Sequence, residues 1–162
     1  MELPTNFEYF EKGSSKIEKL IKEQGDVVCR EKIGRDYIKN ITDKYLFGFV
    51  HKTPIAQIGQ RRKKTNNEYL YSFILCDILE AYNSINIHLI CSRVNARDGR
   101  KLIELACKKA IELGYESLTL HSILDDKLVK WYKSQGFKIS SEIFYPISGD
   151  LKCYLMTKEL VE

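Results

Sequence analysis

The first part of the chain changes from helical spacing of apolar residues to an aromatic run. Two serines are followed by apolar residues that recur at helical intervals over residues 17–21. This pattern predicts a first helix that stops near Gly25. A weaker pattern over residues 35–45 predicts a short second helix. Residues 45–51 are rich in aromatic and β-branched side chains, which predicts a strand that turns into an antiparallel hairpin with residues 55–59.

The middle of the chain carries the patterns of strands. Residues 69–78 and residues 85–90 predict two strands, with a turn at Asn83 and Ser84 between them. In the second strand every other residue is apolar, which predicts one face in the core and places these three side chains on it: Ile85, Ile87 and Leu89.

A polar, basic segment follows that strand and leads into an amphipathic helix. Residues 93–101 contain Gly99, and the apolar residues of the following helix are Leu102, Ile103, Ala106, Ala110 and Leu113. A strand, a basic loop and a helix start together form an anion site, because the first N–H groups of a helix are unpaired and its end is positive. Basic loops also occur only for solubility, so this loop alone does not decide the function.

The same helix-strand alternation continues to the end of the chain. The helix ends at Gly114, a strand over residues 115–122 follows, and Asp125 and Asp126 begin a second amphipathic helix that stops at Gly136. Two further strands, over residues 141–147 and 151–158, predict a closing hairpin.

Composition and charge restrict the class of protein. The 162 residues, 44% of them hydrophobic and 30% charged, fit one globular domain over residues 1–162. No apolar run approaches the ~18 residues of a membrane span, and the N-terminus lacks a signal core, so we expect a cytoplasmic protein without a membrane partner. The net charge is +4, and the basic run over residues 61–64 is interpreted as a solvated hairpin tip, so nucleic acid is not an expected partner.

The cysteines give no sign of a disulfide framework or a metal site. There are five, they form no C-x-x-C pair, and they lie in apolar stretches, which predicts reduced core thiols. The histidines are isolated from them, so no metal is expected.

Two blocks of the second half carry a resemblance to a known family. With residues 102–114 and the segment Trp131-Tyr132-Lys133-Ser134-Gln135-Gly136-Phe137, the chain resembles the GNAT superfamily of N-acetyltransferases, whose members have a similar Tyr-x-x-x-Gly-Phe ending. The resemblance implies an α/β (α+β) fold: a mixed, mostly antiparallel sheet with splayed central strands, flanked by helices. It also implies transfer of the acetyl group of acetyl-CoA to a primary amine of a small molecule or peptide, and it leaves a homodimer open.

The resemblance implies where acetyl-CoA binds. Aligned with the family's phosphate loop, Gly99 keeps a glycine, whereas Arg97 stands in place of one and must point outward. The pantetheine arm is expected to pair with the backbone of residues 89–92, and Asp125 aligns with an asparagine that contacts this arm. The expected cofactor residues are Leu89, Ile90, Cys91, Ser92, Arg97, Asp98, Gly99, Arg100, Lys101, Asp125 and Lys133.

The resemblance implies a catalytic role for Tyr132, whose phenol would protonate the departing thiolate of CoA. A phenol with a pKa near ~10 is protonated at neutral pH and can donate to a thiolate whose thiol has a pKa near ~8.5. Without the resemblance, a core aromatic residue is the preferred interpretation of Tyr132, and Trp131 beside it is interpreted as a packing residue.

The general base is left open by the sequence. An amine must lose its proton before it attacks, and His88 is the predicted base, with Cys91 and Asp77 as alternatives and His121 as a weaker candidate. Two other functions are compatible with the sequence: a GNAT-like domain that binds CoA or a partner without catalysis, and an adaptor that uses residues 61–64.

Overall fold

Seven strands form one continuous sheet in the computed structural model of the chain, in the order β1-β2-β3-β4-β5-β7-β6. The structure describes residues 1–29, 38, 45–55, 68–144 and 152–160. The described strands are β1 (Phe7–Glu11), β2 (Phe47–Pro54), β3 (Glu68–Leu79), β4 (Ser84–Ser92), β5 (Ser117–Ile123), β6 (Lys138–Phe144) and β7 (Lys152–Glu159). The described α-helices are α1 (Ser15–Val28), α2 (Gly99–Glu112) and α3 (Asp126–Ser134).

The pairing of the strands confirms the predicted mixed, mostly antiparallel sheet. Only β4 and β5 pair in parallel, and every other neighbouring pair of described strands is antiparallel. The buried side chains of α2 and α3 pack with one face of the sheet, and those of α1 pack with the other face. The sheet therefore separates two apolar clusters, and helices cover both of its faces.

The N-terminal strands differ from the sequence prediction. β1 was not predicted, because its five residues include two exposed glutamates and give only a short apolar pattern. β2 continues through residues 52–54 instead of turning there, and its hairpin partner is β3, which it meets from Phe47 opposite Cys76 to Pro54 opposite Glu68. Residues 56–59, predicted as the partner strand, lie outside the described residues.

Helix α1 runs past the glycine that was expected to end it. A Cβ on Gly25 would lie 2.6 Å from Cδ1 of Ile38, so this glycine is required by a close side-chain contact and does not end the helix. Ser14 precedes the helix, but its hydroxyl donates to the carbonyl of Glu11 (2.7 Å) and does not cap the helix N-terminus. Apart from Ile38 and Tyr45, the weak helix predicted over residues 35–45 lies outside the described residues.

The ends of α2 and α3 and the start of α3 agree with the sequence prediction, whereas α2 begins at Gly99, inside the segment predicted as a loop. Gly114 follows α2 with a φ of +87°, and Gly136 follows α3 with a φ of +98°, conformations that favour glycine at a helix end. One side chain differs: Leu113, predicted on the buried face of α2, lies beyond its last turn and is 47% exposed.

A bulge in β4 changes which of its residues face the same cluster. Leu75 lies opposite Leu89 while Cys76 lies opposite Ile87, so His88 is an extra residue in β4. After the bulge the alternation of side chains reverses, and Leu89 packs with the α1 cluster whereas Ile85 and Ile87 pack with α2. The prediction that these three residues share one face is therefore wrong.

The C-terminal hairpin is present with a shifted first strand. β6 begins at Lys138, three residues before the predicted start at Ser141, and pairs with β7 in antiparallel register. Its predicted turn, residues 148–150, lies outside the described residues, as does the basic run at residues 61–64.

Two cysteines are joined, contrary to the prediction that all five are reduced. Cys29 at the end of α1 forms a disulfide with Cys91 of β4, across a sequence separation of 62 residues. The bulge at His88 turns Cys91 toward the α1 side of the sheet, where Cys29, the residue that follows α1, meets it. Because the pairing depends on this tertiary contact, the spacing of the cysteines along the chain gave no sign of it.

None of the described helices combines the length and the apolar character that a membrane span requires. Within the described ranges, no set of three or more His, Cys, Asp or Glu side chains is arranged to hold a metal ion.

Candidate functional site

A cleft opens where β4 and β5 separate. The two strands pair only from Ser84 opposite Ser117 to Ile87 opposite Leu120, and beyond these residues they diverge. The cleft has a volume of about 850 Å³ and is lined by the diverging strand ends, the loop after β4, and α3. This splay is the one expected from the family resemblance, and the volume is in the range of about 300–1,000 Å³ typical of small-molecule sites.

The edge of β4 that faces the cleft is unpaired among the described strands. Residues 89–92 pair with β3 on one side, from Leu75 opposite Leu89 to Ser72 opposite Ser92, and no described strand pairs with them on the other side. Their N–H and C=O groups on that side can therefore bind an extended ligand as an added strand. Leu89, Ile90, Cys91 and Ser92, all predicted from the sequence, line the cleft.

The loop after β4 brings the start of α2 to one end of the cleft. Arg97 has a φ of +52°, a conformation that favours glycine, and its side chain is exposed. The first intrahelical bond of α2 runs from the N–H of Leu102 to the carbonyl of Asp98, and the side chain of Asp98 makes no capping bond to the helix. The preceding N–H groups, from Gly99 to Lys101, are therefore not bonded within the helix, which makes this end attractive to an anion.

Three of the predicted cofactor residues do not line the cleft. The carboxylate of Asp98 points into the protein, where it meets His51 and Ser72. The ammonium of Lys101 lies 5.8 Å from the ring centre of Phe7 in β1. Lys133 is exposed on α3, away from the cleft. The other predicted residues, including Gly99, Arg100 and Asp125, line it.

Trp131, which the sequence analysis gave no role, lines the cleft above the start of α2. A Cβ on Gly99 would lie 2.8 Å from Cη2 of its indole ring, so the glycine makes room for Trp131. From the sequence, Gly99 was expected as the glycine that aligns with the family's phosphate loop. No sequence pattern links two residues on different helices, so only the packing of α3 against α2 reveals this contact.

We expect Gly99→Ala to destabilise the protein by about 1–3 kcal/mol, because the new methyl group overpacks against Trp131. In a Trp131→Ala background the same change is expected to become stabilising by about 0.5–1 kcal/mol, since alanine is the better helix residue. Urea unfolding of the four proteins measures both values. If Gly99→Ala has the same sign in both backgrounds, the contact with Trp131 is not the reason for the glycine.

Two histidines line the cleft, and the charge of one acts on the other. His88 on the bulge and His121 on β5 both line it, and Nε2 of His88 lies 3.3 Å from Oδ2 of Asp77. Burial, and secondly the charge of His88, lower the pKa of His121 below its ordinary value of about 6.5. His121 is therefore mainly neutral at pH 7 and able to accept a proton. From the sequence alone His121 is a weaker candidate than His88, because the divergence of β5 that exposes it to the cleft is a tertiary feature.

Tyr132 lies in the wall of the cleft and in the core at the same time. It is 8% exposed, its ring contacts Trp131 and Phe137 edge to face, with centroid distances of 5.2 and 5.9 Å, and it lines the cleft. Asp125 precedes α3, and its Oδ1 accepts from the N–H groups of Lys127 (2.9 Å) and Leu128 (3.1 Å). One of its oxygens is thus engaged in capping the helix.

Comparisons with known proteins find the fold and little sequence similarity. No protein-family model matches the chain, and no curated protein matches it. A Desulfovibrio desulfuricans protein assigned to the GNAT family superimposes with a TM-score of 0.67 at 9% identity, over 96% of this chain and 99% of that one. An aminoglycoside 6'-N-acetyltransferase solved with coenzyme A gives a TM-score of 0.62 at 12% identity, over 96% of this chain and 97% of that one.

A third structure superimposes on only part of the chain, again at low sequence identity. Nourseothricin acetyltransferase gives a TM-score of 0.53 at 17% identity, and the matched region spans 71% of this chain and 65% of that chain. At these identities the comparisons show the fold. The chain has the fold of the GNAT acetyltransferases, which confirms the fold that the sequence resemblance implied.

Proposed function

We propose that this chain, which has the GNAT fold, is an N-acetyltransferase that moves the acetyl group of acetyl-CoA to a primary amine of a small molecule or peptide. The observation that carries the proposal is the cleft of about 850 Å³ at the splay of β4 and β5. It combines an unpaired strand edge, an uncapped helix start and a tyrosine in one cavity.

The residues of the cleft fit acetyl-CoA. The pyrophosphate would meet the unpaired N–H groups at the start of α2, with Arg97 and Arg100 beside it, since both side chains line the cleft. The pantetheine arm would pair with the backbone of residues 89–92. Arg93 is less available, because its Nε donates to the carbonyl of Leu70 (2.6 Å) and its guanidinium lies 4.2 Å from the ring centre of Tyr69.

Tyr132 would serve as the general acid. When bound, acetyl-CoA supplies a thioester that a neutral amine can attack, with a thiolate as the leaving group. Tyr132 lines the same cleft, and a tyrosine hydroxyl, which ordinarily has a pKa near ~10, would donate its proton to the thiolate. A free N–H of β4 would stabilise the charge that develops on the carbonyl oxygen.

His121 is the residue we assign to removing the proton of the amine. A primary amine has a pKa near ~10.4, so most of it is protonated at pH 7 and a base is needed. His121 is kept neutral by burial and by the charge of His88. His88, the base predicted from the sequence, already has one ring nitrogen beside the carboxylate of Asp77, and we propose that its charge adjusts the pKa of His121.

Binding and turnover with an amine panel test the proposal. Acetyl-CoA at about 100 times its dissociation constant should stabilise the protein by about 2.7 kcal/mol, which raises the Tm by several degrees. Release of the CoA thiol should depend on one class of amine in a panel of polyamines, aminoglycosides, amino acids, arylamines and peptide N-termini.

Three outcomes separate the proposal from its alternatives. A Tm shift with amine-dependent thiol release supports an acetyltransferase. A Tm shift without thiol release for any amine supports a domain that binds CoA without catalysis. If acetyl-CoA changes neither quantity, the proposed function is wrong.

A further inference from the structure

The two aspartates that precede α2 and α3 behave differently. Asp125 caps α3, because its Oδ1 accepts from two N–H groups of the first turn. Asp98 occupies the same position before α2, yet its side chain accepts no hydrogen bond from that helix. Aspartate is among the preferred residues at this position because it normally makes such bonds. The missing cap at α2 therefore needs a cause.

The carboxylate of Asp98 is held elsewhere. Its Oδ2 accepts from Nδ1 of His51 and from the hydroxyl of Ser72, both at 2.7 Å, and the residue is 4% exposed. Burial would raise the pKa of Asp98, but these two hydrogen bonds and the charges of His51 and Lys101 together lower it below its usual value. Asp98 is thus a buried, negatively charged side chain directed away from the helix.

His51 is fixed in the orientation that this interaction requires. Its ring is stacked between Phe7 of β1, with 4.3 Å between ring centres, and Tyr71 of β3, at 4.5 Å. The backbone of the loop between β4 and α2 is also fixed, because the N–H of Asp98 donates to the hydroxyl of Ser92 (3.2 Å). The groups that act on the carboxylate come from β2, β3 and α2: His51, Ser72 and Lys101.

We propose that His51 is a positioning residue that keeps the Asp98 carboxylate away from the N–H groups at the start of α2, and thereby leaves them open for a pyrophosphate. This inference rests on the proposed function, in which those N–H groups bind CoA. A carboxylate that capped α2 would occupy the same donors as the phosphate and would repel it by charge. The interaction of His51 with Asp98 thus stabilises an anion site that the chain could otherwise fill by itself.

His51→Phe is the variant that tests this role. Phenylalanine keeps a flat ring between Phe7 and Tyr71 but removes the Nδ1 donor. Asp98 should then turn to cap α2, and we expect the dissociation constant of CoA to rise at least about tenfold, as for the loss of a charge-assisted contact. The kcat at saturating acetyl-CoA should change less than about twofold, because Tyr132 and His121 are untouched. Calorimetry with CoA and steady-state kinetics measure the two values.

A double variant separates this role from a general loss of structure. Alanine at position 98 cannot cap the helix, so His51→Phe with Asp98→Ala should bind CoA within about threefold of the wild type, more tightly than His51→Phe alone. Ser72→Ala, a smaller change that removes one of the two donors to Asp98, should weaken CoA binding in the same direction. If the double variant binds no better than His51→Phe, the inference is wrong.

S-acetylpantetheine and one surface variant provide the controls. S-acetylpantetheine lacks the pyrophosphate, so its KM should be equal in the wild type and in His51→Phe; an equal loss for both thioesters would instead indicate a purely structural role. Glu112→Gln removes an exposed carboxylate at the other end of α2 and should change neither CoA binding nor turnover.

If the wild type does not bind CoA, the proposed function fails. If the wild type binds and His51→Phe binds equally well, this inference alone fails.

Discussion

Tyr132→Phe is expected to lower kcat by about 100- to 10,000-fold while the dissociation constant of CoA stays within about twofold of the wild type. The hydroxyl is the only part of the side chain removed, and it is the part assigned to protonating the leaving thiolate. The ring remains, so its edge-to-face contacts with Trp131 and Phe137 should persist and the Tm should change little. Thiol-release kinetics and calorimetry with CoA give the two values.

A second tyrosine serves as the control for Tyr132. Tyr82 lies in a short 3₁₀ turn before β4 and is 56% exposed, so Tyr82→Phe should leave kcat unchanged. Full activity in Tyr132→Phe would show that the phenol is not the acid and that Tyr132 is only a core aromatic residue. A fall in Tm without a fall in kcat would lead to the same conclusion.

His121→Asn is expected to lower kcat/KM by about 100-fold or more at pH 7. It should also remove the acidic limb of the pH profile of kcat/KM, that is, the rise of kcat/KM with pH at low pH. The base must be neutral to act, so the wild-type rate should rise with pH as His121 loses its proton. Because burial and the charge of His88 lower the pKa of His121, this rise should occur below about pH 6.5. The profile of kcat/KM between pH 4.5 and 8, with acetyl-CoA saturating, measures the effect.

His88→Asn distinguishes the two histidines. It removes the neighbouring charge that lowers the pKa of His121, so the acidic limb should remain and move to higher pH. If His88 were the base, His88→Asn would remove the limb and His121→Asn would keep it. The two variants therefore have opposite expected profiles, and the result assigns the base.

The second half of the fold was readable from the sequence because its signals are local. Helix α2 has an apolar face and a glycine at its end, α3 has Asp125 at its start and Gly136 after its end, and each feature acts within a few residues. The first half was less readable. Gly25 resembles a helix stop until Ile38 is seen against it, and β1 is recognisable as a strand only beside β2.

Some residues of the candidate site were also predictable from local sequence signals, and others were not. Tyr132, residues 89–92 and the uncapped start of α2 follow from the order of elements and from the resemblance, and they meet in one cleft. From the sequence, Trp131 was a packing residue, His121 ranked below His88, and Asp98 belonged to the cofactor site. Contacts between distant elements place Trp131 and His121 in the cleft and turn Asp98 away from it. His51 and Asp98 are 47 positions apart, and nothing near either residue indicates the other.

By itself, then, the sequence determined the helices and strands from β3 onward and their order, including the basic segment before α2 and the position of Tyr132 on α3. The tertiary structure decided which side chains face the cleft. The bulge at His88 reverses the alternation of β4 and brings Cys91 to Cys29, and the pairing of β4 with β5 ends at Ile87 and Leu120 to open the cavity. The physical reason is range: helix caps and periodicity act over a few residues, whereas register, disulfide pairing and buried charge depend on segments that meet only in the folded chain.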